Sequence, residues 1–348
     1  LWITRRYSIM SYKQMTGNII SATKVEPADK FINSAASGVW NLQDQYDYRR
    51  GNNWPSTDNA APQLALVAGD GGASNTIDII SLASSSNGVD FGDLIAATRL
   101  PAAVGSATRG IFAGGYIGSY DDTIQFRVFS SLGDMADFGN LVAGNAQPAG
   151  LGNSTRGVIG GGYVSGVSNV IQYITLAAEG NTTDFGDLTA ARTNLSGASN
   201  ATRGIFAGGT VSGVSDIIDY ITIGSTGNAT DFGNLTAAKS DVAACASATK
   251  ALIGGGDTGS IVDNIDVITI ASAGNASDFG DLLTVNKSFA SFSNTTRGFF
   301  AGGDANGQVN VIQSVAFANA ANTTDFGDLI QPREQCSGCA NSHGGIAA

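Results

Sequence analysis

Two groups of residues in this chain have types and spacings that could do chemistry. The first is the phrase Asn-x-x-Asp-Phe-Gly, which occurs six times, once with Asp in place of Asn. Its first column is Asn87, Asp134, Asn181, Asn228, Asn275 and Asn322; its second is Asp90, Asp137, Asp184, Asp231, Asp278 and Asp325. Oxygen ligands at such short spacing could hold calcium. The same residues also build turns, because Asn tolerates the left-handed conformation and Asp caps a turn through its own carboxylate. Recurrence in every copy favours the turn reading. The second group is Cys336, Cys339 and His343, in a Cys-x-x-Cys-x-x-x-His arrangement. Zinc wants a complete tetrahedral ligand set, and His343 falls in a column otherwise filled by Thr108, Thr155, Thr202, Thr249 and Thr296. Neither a metal nor a cofactor is expected. Cys245 and Cys339 share a column with Val104, Leu151, Ala198 and Phe292 and read as small core residues.

Further polar columns recur at the same interval. Asp78, Gln125, Gln172, Asp219, Asp266 and Gln313 lie between apolar neighbours. They could face solvent or satisfy buried backbone groups between repeats, and the second is favoured. The bases Arg109, Arg156, Arg203, Lys250 and Arg297 recur in Thr-Arg-Gly-like phrases and are expected to pair with nearby acids.

What positions these groups is a fixed period. Phe91, Phe138, Phe185, Phe232, Phe279 and Phe326 stand 47 residues apart without an insertion or deletion. A period of this size marks a repeat architecture. Within each copy an apolar run ends in a Gly-Gly pair, as at 208–209, and a loop follows. Alternation such as Ile218-Asp219-Tyr220-Ile221-Thr222-Ile223 then has the period of a strand. A turn leads into Asp-Phe-Gly-Asp/Asn-Leu, and a small apolar stretch completes the unit. Four short strands per repeat, without helical spacing, make one blade of a β-propeller. Blade one opens with a Gly-Gly-type strand, Leu64 to Gly69, one residue shorter than its counterparts. It lacks the small-residue strand, which the chain supplies at its other end in Gln335–Ala340. The ring is therefore expected to close by pairing these ends, giving six blades, with Gly345–Ala348 as an unfinished strand of the next type. The division is an arm and linker over 1–60 and a propeller over 61–348.

Composition limits the partners. The chain has 348 residues, 47 of them Gly, only 14% charged, and a formal net charge of −11. That charge disfavours nucleic acid. No apolar run reaches the ~18 residues needed to cross a bilayer. The segment Leu1–Met10 lacks a signal peptide's apolar region and cleavage site, and Met10 is an alternative start.

The order of Gly-Gly strand, alternating strand, aromatic-centred strand and following base (Arg192, Lys239 or Arg333) resembles the kelch repeat, with Phe where kelch motifs carry Trp. The resemblance covers 64–348 and implies an all-β, six-bladed kelch-like β-propeller with four-stranded blades. Kelch-like copper oxidases need several histidines, and this chain has one. The Thr-Asp-Phe-Gly phrase is faintly similar to the sialidase Asp-box, a turn element. The phrases Ala36–Tyr46 and Arg49–Pro55 resemble N-terminal segments of marine phage virion proteins. That likeness implies a virion structural protein, assembled in the host cytoplasm and exposed on the particle as a tail fibre or receptor-binding appendage. Trp40, Leu42, Tyr46 and Trp54 would anchor the arm to other virion proteins.

Recognition is expected where the repeats differ. The loops after Gly-Gly vary most and carry Tyr116, Tyr120, Asp121, Asp122, Tyr163, Asp257 and Asp304. Strand alternation puts them on one face with the loops of Arg99, Arg192, Lys239, Lys287 and Arg333. Such a face suits a host-surface glycan or protein. Self-association stays open. The chain is not expected to be an enzyme: a polysaccharide-degrading propeller would bring carboxylates together at one pocket. An intracellular kelch-type adaptor is the third alternative.

Overall fold

The computed structural model describes residues 62–346 except residue 73, and among them every regular element is a β-strand. The arm, with Trp40, Leu42, Tyr46 and Trp54, lies outside the described residues.

Twenty-four strands form six four-stranded antiparallel sheets, the blades of a β-propeller. Blade two shows the pattern. Its innermost strand is Ala102–Gly105, followed outward by Arg109–Ala113, Thr123–Val128 and Ala136–Asn140. The innermost strand is built of small residues because the six inner strands crowd around a common axis, where large side chains have no room. The outermost strand carries Phe-Gly. Blade one is completed by Ser337–Ala340, which pairs antiparallel with Leu64–Ala68, Ala65 opposite Ala340. Closure of the ring by the chain's own ends, inferred from strand types alone, is what the chain does.

Two details differ from the sequence expectation. The first strand of blade one has the full five residues. It is the loop after it that is short, 69–75 against 114–122 in blade two. The tail after Ala340 does not begin another strand; residues 341–346 bend across one end of the axial channel.

The core sits between blades. Six apolar clusters each draw on two neighbours; Phe91, Ile77 and Leu66 of blade one, for example, meet Phe112, Phe129 and Met135 of blade two. A blade alone would leave half of such a cluster in water, which is why repeats of this kind need a closed array.

The Phe-Gly phrase is a blade-to-blade clasp. All six phenylalanines are 2–3% exposed. The glycine after each has positive φ, as at Gly92 (141°), and a Cβ there would lie 2.4 Å from the Gly133 backbone of the next blade. Across the same seam the Asn column accepts a backbone hydrogen bond, with Asn181 Oδ1 receiving Asn140 N–H at 3.0 Å and Asn228 Oδ1 receiving Asp187 N–H at 3.0 Å. The neighbouring Asp column caps its own turn: Asp90 and Asp137 each accept from the glycine two residues on. The identical phrases are accounted for as seam and turn chemistry.

Candidate functional site

The loops between the second and third strands and the loops leading into the inner strands share one face, joined by pairings such as Arg99 with Tyr116 and Lys287 with Asp304. This face has two unlike halves. On blades two and three, Tyr116 and Tyr120 meet edge to face with ring centroids 5.7 Å apart, and Tyr120 lies 5.4 Å from Tyr163. The Arg99 guanidinium sits 4.7 Å from the centroid of Tyr116. Tyr120 is 43% exposed and Tyr116 and Tyr163 are half-buried, so the cluster is partly open to solvent. Aromatic rings with a polar edge and few rotatable bonds suit contact with a partner.

The acids proposed alongside the tyrosines behave differently. Asp121 accepts both the N–H and the hydroxyl of Thr123, so its carboxylate is committed to the loop. Asp257 accepts from Gly259 N–H and pairs with Lys287 at 2.9 Å. That hydrogen bond holds its carboxyl below the usual carboxylate range. Asp304 caps Gly307. Asp257 and Asp304 stand on blades five and six, across the ring from the tyrosines. Asp122 is exposed beside Tyr120 and belongs with the aromatic half. The three tyrosines are thus brought together; the acids are not, and three of them are turn elements.

Arg99 and Lys287 stand on this face as expected, but the other three bases do not reach it. Arg192, Lys239 and Arg333 are 0% exposed. Arg192 pairs with Asp219 at 2.7 Å, Arg333 with Asp78 at 2.8 Å and Lys239 with Asp266 at 3.4 Å. Burial pulls the pKa of Arg192 and Lys239 down and pushes that of Asp78 up, each opposed by its partner's charge. The Asp/Gln column is buried, as its apolar neighbours suggested, and serves the seams: Gln125 accepts Ile95 N–H and Asp78 accepts Ile330 N–H, both from the preceding blade. Among the described residues the Thr-Arg-Gly bases form no ion pair with an acid. Arg109, Arg156 and Arg203 stack over Phe126, Tyr173 and Tyr220 and donate to carbonyls of the next blade.

Cys336, Cys339 and His343 do not converge on a metal. The thiols are buried and pushed up to about 12 by desolvation. His343 is used at both nitrogens: Nε2 donates to the Gly105 carbonyl at 3.0 Å, and Nδ1 accepts from Gly345 N–H at 3.1 Å. With Gly344 N–H on the Ala246 carbonyl, it ties the tail across the channel between blades two and five.

One feature had no signal in residue types. Leu100, Gln147, Asn194, Asp241, Ser288 and Gln335, one per blade, all have left-handed backbone, φ 53–61°. They surround the channel mouth on the tyrosine face. Five blade-to-blade hydrogen bonds link them, such as Gln147 N–H to the Leu100 carbonyl at 3.1 Å and Leu100 N–H to that of Gln335 at 2.8 Å. Their common 47-residue spacing is readable in the sequence, but Leu, Gln and Ser do not announce positive φ.

No protein-family model matches the chain, and no curated protein matches it significantly. The six-bladed, four-stranded propeller is established by the structure, and the kelch and phage resemblances rest on their motifs alone.

Proposed function

We propose that this protein is a non-enzymatic recognition propeller, which binds a surface glycan through the face of blades two and three. The observation that carries this reading is the solvent-facing cluster of Tyr116, Tyr120 and Tyr163 with Arg99, which occurs only where the repeats depart from one another. Flat aromatic faces stack on sugar rings, and Asp122 and Arg99 offer polar edges beside them. The commitment of the face's other acids to turns and ion pairs supports a binding rather than a hydrolytic role. The likeness of the arm to phage virion segments extends the reading to a tail or surface appendage, anchored through Trp40, Leu42, Tyr46 and Trp54 and presenting the propeller to the host.

The test is a glycan array probed with the full chain and with a Tyr116→Ala/Tyr120→Ala/Tyr163→Ala variant of matched melting behaviour. Loss of binding in the variant is expected. Undiminished binding, adhesion to protein alone, or depolymerisation of an array glycan would overturn the proposal. Mass spectrometry of purified particles tests the virion extension separately.

A further inference from the structure

The geometry points to a second binding site: the mouth of the axial channel takes a neutral, hydroxyl-rich solute about the size of a monosaccharide. Two other repeated backbone features of the ring keep their residue type, Gly at each Gly-Gly pair in blades two to six and Gly after each core phenylalanine. The channel mouth reverses this. Its six left-handed positions have one backbone conformation, and all but Asn194 donate to the preceding one, yet they carry five residue types, none of them the glycine that conformation favours. Side chains kept against a backbone preference, and differing around an otherwise repeated ring, mark a place where their chemistry is used.

A cavity of about 110 Å³ lies within this ring. At the ~30 Å³ a water takes up in the liquid, that is room for about four water molecules, enough to seat one face of a sugar ring. Further along the axis lies a smaller space of about 50 Å³, lined in part by His343 of the tail. Asn194 and the carboxylate of Asp241 are among its polar groups, and no Lys or Arg lines it. An anionic ligand therefore finds no counter-charge. Asp241 is held by the hydroxyls of Ser240 at 2.9 Å and Ser288 at 3.2 Å, an arrangement already fitted to hydroxyl donors. Its burial pushes the pKa of its carboxyl upward, which weakens its claim on a cation. Gln335 Oε1 is buried without a hydrogen-bond partner. Pro101, Leu195 and Phe289 supply apolar wall, and small polar groups set among apolar ones are the usual make-up of a solute pocket.

This site does not depend on the tyrosine face. Titration calorimetry and saturation-transfer NMR on the full chain would use glycerol, myo-inositol, glucose, galactose, mannose and N-acetylglucosamine. Methylammonium and glucose 6-phosphate serve as charged controls. At least one neutral polyol is expected to bind saturably, and Asn194→Leu to weaken it by about tenfold or more. The triple tyrosine variant should leave that affinity unchanged. Gln335→Gly should raise the thermal midpoint by about one to three degrees, since it removes an unpartnered oxygen and a disfavoured conformation. No saturable polyol binding at tens-of-millimolar concentration, indifference to Asn194→Leu, preference for a charged control, or a lowered midpoint in Gln335→Gly would each overturn the inference. If Asn194→Leu fails to fold, Gln147→Leu carries the same test.

Discussion

Three blade junctions in this ring are ionic and three are neutral, at equivalent positions. Asp78 with Arg333, Asp219 with Arg192 and Asp266 with Lys239 occupy the places that Gln125 with Thr98, Gln172 with Asn145 and Gln313 with Asn286 occupy elsewhere. Both kinds perform one task. The Asp or Gln oxygen accepts a backbone N–H from the preceding blade, as from Ile330 at 2.8 Å in one case and Val142 at 3.0 Å in the other. In three junctions the partner also donates to the first carbonyl of the Gly-Gly pair, Arg192 to Gly208 at 2.8 Å, Asn145 to Gly161 at 2.9 Å and Asn286 to Gly302 at 2.7 Å; Arg333 donates to the Thr76 carbonyl instead. The difference teaches that the seam needs an acceptor for the preceding blade's N–H, and needs charge only in matched amounts; it tolerates unpartnered atoms such as Asn145 Oδ1 and Arg192 Nε. A buried charge is tolerated where its opposite is present and absent where it is not. The same fold thus holds a controlled comparison of two solutions to one desolvation problem.

That comparison can be attacked from either side. Asp219→Gln alone leaves Arg192 buried without a counter-charge and should cost about 3–5 kcal/mol in urea unfolding; a loss under about 1 kcal/mol would show that the charge is not needed there. The pH dependence of the ionic type comes next. Burial raises the Asp78 carboxyl above 3.8, so its contribution is fully present below that pH and is lost as pH rises through its folded value. Relative to Asp78→Gln/Arg333→Asn, the native chain should lose stability with rising pH, with a slope of at most about 1.4 kcal/mol per pH unit. A gap that widened in the native chain's favour would contradict this. Lys239 reaches Asp266 only at 3.4 Å and its Nζ lacks a hydrogen bond. Lys239→Arg, which can copy the fork of Arg192, should gain about 1 kcal/mol, readable as a higher urea midpoint. The smallest effect is expected from Arg192→Asn/Asp219→Gln, which rewrites an ionic junction as a neutral one and should stay within about 1 kcal/mol of the native chain. If the double variant is as unstable as Asp219→Gln alone, the junctions are not interchangeable.

The blades, their number and their closure were legible because they follow from period and strand type: Phe91 to Phe326 set the beat, and Ser337–Ala340 is the strand that Leu64–Ala68 lacks. The burial of the Asp/Gln column was legible from its apolar neighbours. Its partners were not. Arg192 and Arg333 looked like surface bases because long cations usually are. Only the offset at which Asp pairs with Arg or Lys, and Gln with Asn or Thr, carries the signal. Arg109 and Arg156 were assigned acids, whereas their neighbours across the strand are aromatic rings. The grouping of Tyr116, Tyr120 and Tyr163 followed from adjacent blades sharing a face. The demotion of Asp121, Asp257 and Asp304 needed the local loop geometry, which residue type alone does not give.

Closure of blade one by Ser337–Ala340 also sets a timetable for the chain as it is made. The edge of Leu64–Ala68 is made before any other strand of the ring, and its partner is made after all the others. At ~5–20 residues per second the edge waits on the order of ten to fifty seconds before it is covered. Each later blade can pair its own strands and lean on the one before as it leaves the ribosome. This contact joins Ala65 to Ala340, the widest separation of any strand pair in the ring, and so bears the largest loop-closure entropy. Ring closure is then the slow step of refolding, and a circular permutant beginning at Ser337 should abolish that phase while leaving the finished ring unchanged. Among the described strands, the seam of blade one is the one joint whose assembly waits on a partner from the far side of the ring's sequence.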